Sequence, residues 1–329
     1  MFYRIFMQTF RTELKPQRAP FSIDYQCLTL GIGSCFIENI GAMLNERQLP
    51  FAQNPFGIVY NPLSIARQLS AISSDDMAFF VKESDLVQHD NLWHSLHHHG
   101  KFSGENHAAV LENMNNNLRE ARKFFQKSNR LMLTFGTSNV FEWTKTGEVV
   151  SNCHKLPPQY FDEKRLTVEQ IVENFKPIFE KIFSQSIDYQ VILTVSPIRH
   201  VRDGFVENNR SKAILLLACE VLSALFDRVS YFPAYEIVMD DLRDYRFYER
   251  DMIHPNAQAI AYIWQYFSDT FFDKKTKNIF QEVEKINQMQ AHRPLHGADT
   301  EGYRKFRENL DEKILDAQKR YPFLHFKKK

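Results

Sequence analysis

Four short apolar runs alternate with longer stretches of helical spacing, and this alternation leaves few folds open to the chain. The runs are residues 27–32, Leu131–Phe135, Gln190–Val195 and Val229–Tyr235. Between them, Ile37, Ile40, Gly41 and Leu44 recur at helical intervals. So do Leu63, Ile65, Ala66 and Leu69 after Asn61-Pro62, and Ile171, Phe175, Ile178 and Ile182 after Thr167. Residues 108–127, about 210–226 and Ala257–Phe271 read as further helices. Short buried strands separated by helices predict an α/β layer fold with a mainly parallel sheet. Ligands of such sheets bind beyond the carboxyl ends of the strands. Residues 75–107 read as irregular and polar, and 140–163 as an excursion with a hairpin at Lys145–Glu148.

The chain has 329 residues, enough for one large α/β domain over 1–271 and a charge-rich helical extension over 272–329, with helical stretches around 276–290 and 300–319. That extension is expected to pack on the core or on a second copy of the chain as a homodimer. A net charge of +1 supplies no field for nucleic acid. No run approaches the ~18 apolar residues of a membrane helix. The first residues lack the apolar stretch of an export signal, and the four cysteines match neither a zinc ribbon nor a CxxC pair. A reduced, cytoplasmic protein is therefore expected. No cofactor is expected: Gly31-Ile32-Gly33 lacks the third glycine of a dinucleotide fingerprint, and there is no P-loop.

Chemistry concentrates at two places. Leu30-Gly31-Ile32-Gly33-Ser34-Cys35-Phe36 puts a hydroxyl and a thiol at a strand-to-helix turn. A thiol in the first helical turn faces unpaired N–H groups, which predicts a lowered pKa for Cys35. The bland alternative is a small buried residue at a tight turn. Asp251-Met252-Ile253-His254-Pro255 offers a base with an orienting carboxylate, or merely a helix cap beside a surface histidine. Arg199 and His200, after Ser196-Pro197, are candidates to hold an anionic group, or else a surface arginine and a satisfied histidine. His97-His98-His99, His94 and His154 invite a metal reading. Adjacent residues point apart, however, which favours a polar lid or loop with Trp93 and residues 152–155 roofing the cleft.

Gly33-Ser34-Cys35-Phe36-Ile37 resembles the signature of the GSCFA family, with Ile37 where the family name has Ala. Asn54-Pro55-Phe56-Gly57…Tyr60-Asn61-Pro62, Asn152–Lys155, Thr194–His200, Glu207–Ala213, Tyr231–Glu236 and Asp251…His254-Pro255 resemble further segments of it, over about residues 25–270. The resemblance implies the flavodoxin-like three-layer α/β/α sandwich of the SGNH (GDSL-like) hydrolases. It implies Cys35, with Ser34 second, as nucleophile and His254 with Asp251 as base and acid. Gly57 and Asn139 would serve the oxyanion hole, although Asn139 falls one place late. The expected activity is acyl transfer, by an esterase-like hydrolase or an acyltransferase, on a small-molecule or glycan-linked acyl substrate. The alternatives are a non-catalytic module binding carbohydrate or an acyl ligand, and a metal-assisted hydrolase using the His-rich loop.

Overall fold

The computed structural model describes residues 11–293 and 300–326. In chain order it runs β1 (Thr29–Gly33), α1 (Cys35–Glu46), β2 (Phe51–Gln53), α2 (Pro62–Ile72), β3 (Leu86–His89), β4 (Leu92–Ser95) and α3 (His107–Lys127). Next come β5 (Arg130–Phe135), β6 (Asn139–Trp143), β7 (Val149–Val150), β8 (Phe161–Arg165), α4 (Val168–Gln185), β9 (Gln190–Val195) and α5 (Phe205–Leu225). β10 (Val229–Phe232), α6 (Ala234–Glu236), α7 (Ala257–Phe271), α8 (Lys274–Ala291) and α9 (Glu301–Arg320) complete it.

Five strands form a parallel sheet in the order β10-β9-β5-β1-β2. The alternation of side chains along each strand explains the layers. Leu131, Leu133 and Phe135 of β5 and Val191, Leu193 and Val195 of β9 enter one core with residues of α2, α3, α4 and α5. Met132 and Ile192, one residue out of phase, enter the opposite core with residues of α1, α7 and α8. Both faces are covered, so the strands read as continuous apolar runs rather than alternating ones. The expected three-layer α/β/α sandwich is the fold.

The helix starts are written locally. Asn61 caps α2, with Pro62 in its first turn, and Thr167 and Gln170 form a capping box on α4. The segment expected to be irregular contains a hairpin, β3 with β4. The expected excursion is a three-stranded antiparallel sheet, β7-β6-β8, with its turn after Trp143. Helices α8 and α9 correspond closely to the two helical stretches expected there. Phe280 and Val283 of α8 lie in the second core, and α9 packs on α8 through Leu310, Ile314 and Ala317. Among the described residues no helix is long and apolar enough to cross a membrane.

The strand order reverses between β1 and β5, since β2 lies on one side of β1 and every later strand on the other. A crevice opens at the carboxyl ends of the strands at such a reversal. Gly33 ends β1 opposite Thr134 of β5, at φ +146, and an added Cβ would collide with the Thr134 backbone. Only glycine lets the two strands approach there while the chain turns into α1.

Candidate functional site

A cleft of about 350 Å³ lies at that reversal. Ser34 and Cys35 line it from the start of α1, Gly136 from the end of β5, and Ser196 to Arg202 (without Pro197) from the loop after β9. Ile253 and His254 close it, and Tyr60 adds a ring that meets His200 edge-on at 5.8 Å. Residues 220 positions apart in sequence thus share one cavity.

Ser34 and Cys35 have different tasks. Ser34 is 1% exposed, and its Oγ accepts the Phe36 N–H at 3.3 Å, the N-cap bond of α1. Cys35 is half-buried and opens to the cleft. Its thiol pKa lies above the ordinary value, contrary to the lowering expected from the helix N-terminus. Burial is the largest influence and Glu38 adds to it. The N–H groups of Cys35 and Phe36 and the Lys212 ammonium pull the other way without prevailing. The resting group is therefore a thiol.

His254 lines the same cleft. Its Nδ1 meets Asp251 Oδ2 at 2.6 Å, while the other carboxylate oxygen accepts the N–H groups of Ile253 at 2.8 Å and His254 at 3.0 Å. Those backbone donors, then the imidazole, hold the Asp251 carboxyl at about 2. An ionised carboxylate on Nδ1 places the proton there and leaves Nε2 as the acceptor. The cap role and the base-orienting role, alternatives at the sequence level, coexist in one side chain.

Arg199 lines the cleft and commits one end of its guanidinium to the backbone, while its buried Nε has no hydrogen-bond partner among the described residues. The side chain donates to the Met252 carbonyl at 2.7 Å and lies 4.2 Å from the Tyr248 ring centroid. Met252 has φ +58, so the arginine ties down a strained carbonyl inside the Asp251–His254 turn. His200 lines the cleft; burial, then the Lys212 charge, lowers its pKa and keeps the ring neutral.

Other expected site residues lie elsewhere. The Gly57 N–H is taken by the Asn54 carbonyl at 2.8 Å, and Gly57 packs against His99, where a Cβ would collide. Asn139 bonds Asp203 at 3.0 Å and Arg165 at 3.3 Å, outside the cleft lining. Trp93 sits in the β3–β4 hairpin against His107. His154 is buried, stacked on His94 at 4.5 Å, with Nε2 2.8 Å from the Ser95 carbonyl. His154 is thus spent on the Ser95 carbonyl and Trp93 on the His107 ring, so neither lines the cleft. Among the described residues no three His, Cys, Asp or Glu side chains gather as a metal would need. A separate cavity of about 280 Å³ contains His97 and His98, with Glu148 engaged by Arg67 and His97.

Tyr60 and Lys212 fall in segments that resemble the family, but neither is singled out there as a site residue. Tyr60 lines the cleft, and Lys212, in a helix whose spacing gave no reason to bury a cation, is 1% exposed beneath it.

The chain matches the model of the GSCFA family over residues 29–267, and that of the GSCFA domain protein C-terminal domain over 283–329. The second match takes the likeness beyond the point where residue 270 seemed to end it. No curated protein matches the chain significantly. The first match spans well over half the chain and includes both Cys35 and His254, and the protein therefore belongs to the GSCFA family.

Proposed function

We propose that the cleft performs acyl transfer through a covalent intermediate on Cys35. The observation that carries this reading is the convergence of Cys35 and the His254–Asp251 pair on one cleft at the strand-order reversal. His254 Nε2 takes the thiol proton as sulfur attacks an ester or thioester carbonyl. The same nitrogen then protonates the leaving group. Asp251 stabilises the imidazolium between the two transfers. The Cys35 N–H, in the first turn of α1, faces the developing oxyanion. A thioester intermediate passes its acyl group to water, a hydroxyl or an amine, so esterase-like hydrolysis and transfer share this chemistry. The parallel strand order β10-β9-β5-β1-β2 and the order Cys35, Asp251, His254 along the chain support the same class.

One observation favours a second reading, a ligand-binding module on this fold. Both Gly57 and Asn139, the donors that the SGNH resemblance implies, are committed elsewhere. Mass spectrometry after treatment with iodoacetamide and a fluorophosphonate decides between them. Wild type is compared with Cys35→Ala, Ser34→Ala and His254→Ala. The acyl-transfer reading expects selective labelling at Cys35, slowed by loss of His254. No selective adduct at Cys35 or Ser34 makes the binding module the better account.

A further inference from the structure

Lys212 extends from α5 beneath the cleft, and its Nζ donates to the carbonyls of Gly136 at 2.6 Å and Ser196 at 2.7 Å. These residues immediately follow β5 and β9 and form part of the cleft wall. An ammonium has three protons, and the carbonyls take two. The titratable groups that face it are Cys35 from α1, His200 from the loop after β9 and Tyr235 from α6, whose ring centroid is 5.9 Å away. None is a carboxylate. A buried cation without an anionic partner is costly, and such groups concentrate where a charge is needed.

We propose that Lys212 is the fixed counter-charge of the Cys35 thiolate, a positioning residue that joins the ends of β5 and β9 and favours ionisation of the nucleophile. The proposal rests on Cys35 as the nucleophile of the cleft. In the step concerned, the Cys35 S–H bond breaks, its proton passes to His254 Nε2, and the electron pair stays on sulfur. Lys212 keeps its three protons throughout. Burial pushes the ammonium down to about 7, with Cys35 acting in the opposite sense, so the counter-charge is present below neutrality and fades above it.

The test is the pH profile of Cys35 alkylation by iodoacetamide between about pH 6 and 9, read by peptide mapping. A His254→Ala background removes the titration of the base. Adding Lys212→Met is expected to slow alkylation about tenfold below the Lys212 midpoint and to leave it unchanged above, a coupling of about one pKa unit. Thermal unfolding verifies that this variant is folded. A second measurement needs no lysine variant: the Lys212 midpoint is followed by ¹³Cε NMR, and the alkylation profile of the His254→Ala protein should bend at that pH. Equal profiles in the folded Lys212→Met protein overturn the proposal. If that protein does not fold, a profile without a bend at the Lys212 midpoint overturns it. Neither readout uses an acyl donor. Loss of the coupling with acyl-adduct formation intact removes only this proposal, and an intact coupling without any acyl adduct removes only the acyl-transfer reading.

Discussion

Ser34 and Cys35 are neighbours with opposite fates, and the helix start between them is the reason. The Ser34 hydroxyl is consumed in capping α1, which turns Cys35 outward in the first turn. Ser34→Ala is expected to lower stability by about 1 kcal/mol in urea unfolding, the usual loss for a cap, while keeping Cys35 alkylation. Cys35→Ala should abolish that alkylation and leave stability nearly intact. At Asp251 one carboxylate both caps the turn and orients His254. Asp251→Asn preserves part of the cap and loses the ionised partner of Nδ1. It should reduce acylation of Cys35 by about a hundredfold or more, measured as single-turnover adduct formation.

At the scale of elements, the site depends on how strands and turns are held at one sheet edge. β1 and β5 approach so closely at Gly33 that no side chain fits. Gly33→Ala should destabilise the protein by at least about 2 kcal/mol in chemical denaturation, since it adds both a left-handed strain and a backbone clash. The His254 turn is secured differently, by Arg199 reaching Met252 over the Tyr248 ring. This arginine was open between holding an anion and lying at the surface, and in the structure its Nη2 is given to the protein's own backbone. The β3–β4 hairpin is held by histidines instead. His154 spans to Ser95, and His98 packs edge-on to Phe56 at 5.2 Å.

For the whole molecule, those histidines predict acid sensitivity. Burial lowers His97 and His154 to about 4 and His98 to about 3, below the ordinary 6.5. As pH falls below about 6.5 the unfolded chain takes up their protons and the folded chain does not. Stability is then lost at about 1.4 kcal/mol per pH unit for each histidine until the folded values are reached. Unfolding temperature should accordingly drop between about pH 6 and 4, and His98→Phe, which keeps the ring packing, should make that drop shallower. The C-terminal helices belong to the same stability account. Phe272, Ile279, Phe280, Val283 and Leu324 are buried in the second core. At about 1.5–3 kcal/mol each, their burial rivals the ~5–15 kcal/mol reserve of an entire domain. A chain ending at residue 271 should be aggregated or largely unfolded, as size-exclusion chromatography and circular dichroism would show.

The fold was legible because its information is local and repeated. Apolar runs of strand length, helical spacing between them, and Asn61-Pro62 and Thr167 at helix starts each constrain only neighbouring residues. Together they leave one layer architecture. The Asp251–His254 pair was legible for the same reason, since three residues of one turn place both groups. What local sequence could not decide was which distant groups meet and what each polar atom already spends its hydrogen bonds on. The partners of Asn139, His154 and Arg199 come from other elements, as do the His99 contact of Gly57 and the Thr134 contact that fixes Gly33. The raised thiol of Cys35 and the buried charge of Lys212 have the same origin. A pKa and a free donor are properties of a three-dimensional surrounding, and only the packing of α5 under the sheet edge brought this lysine to that cleft.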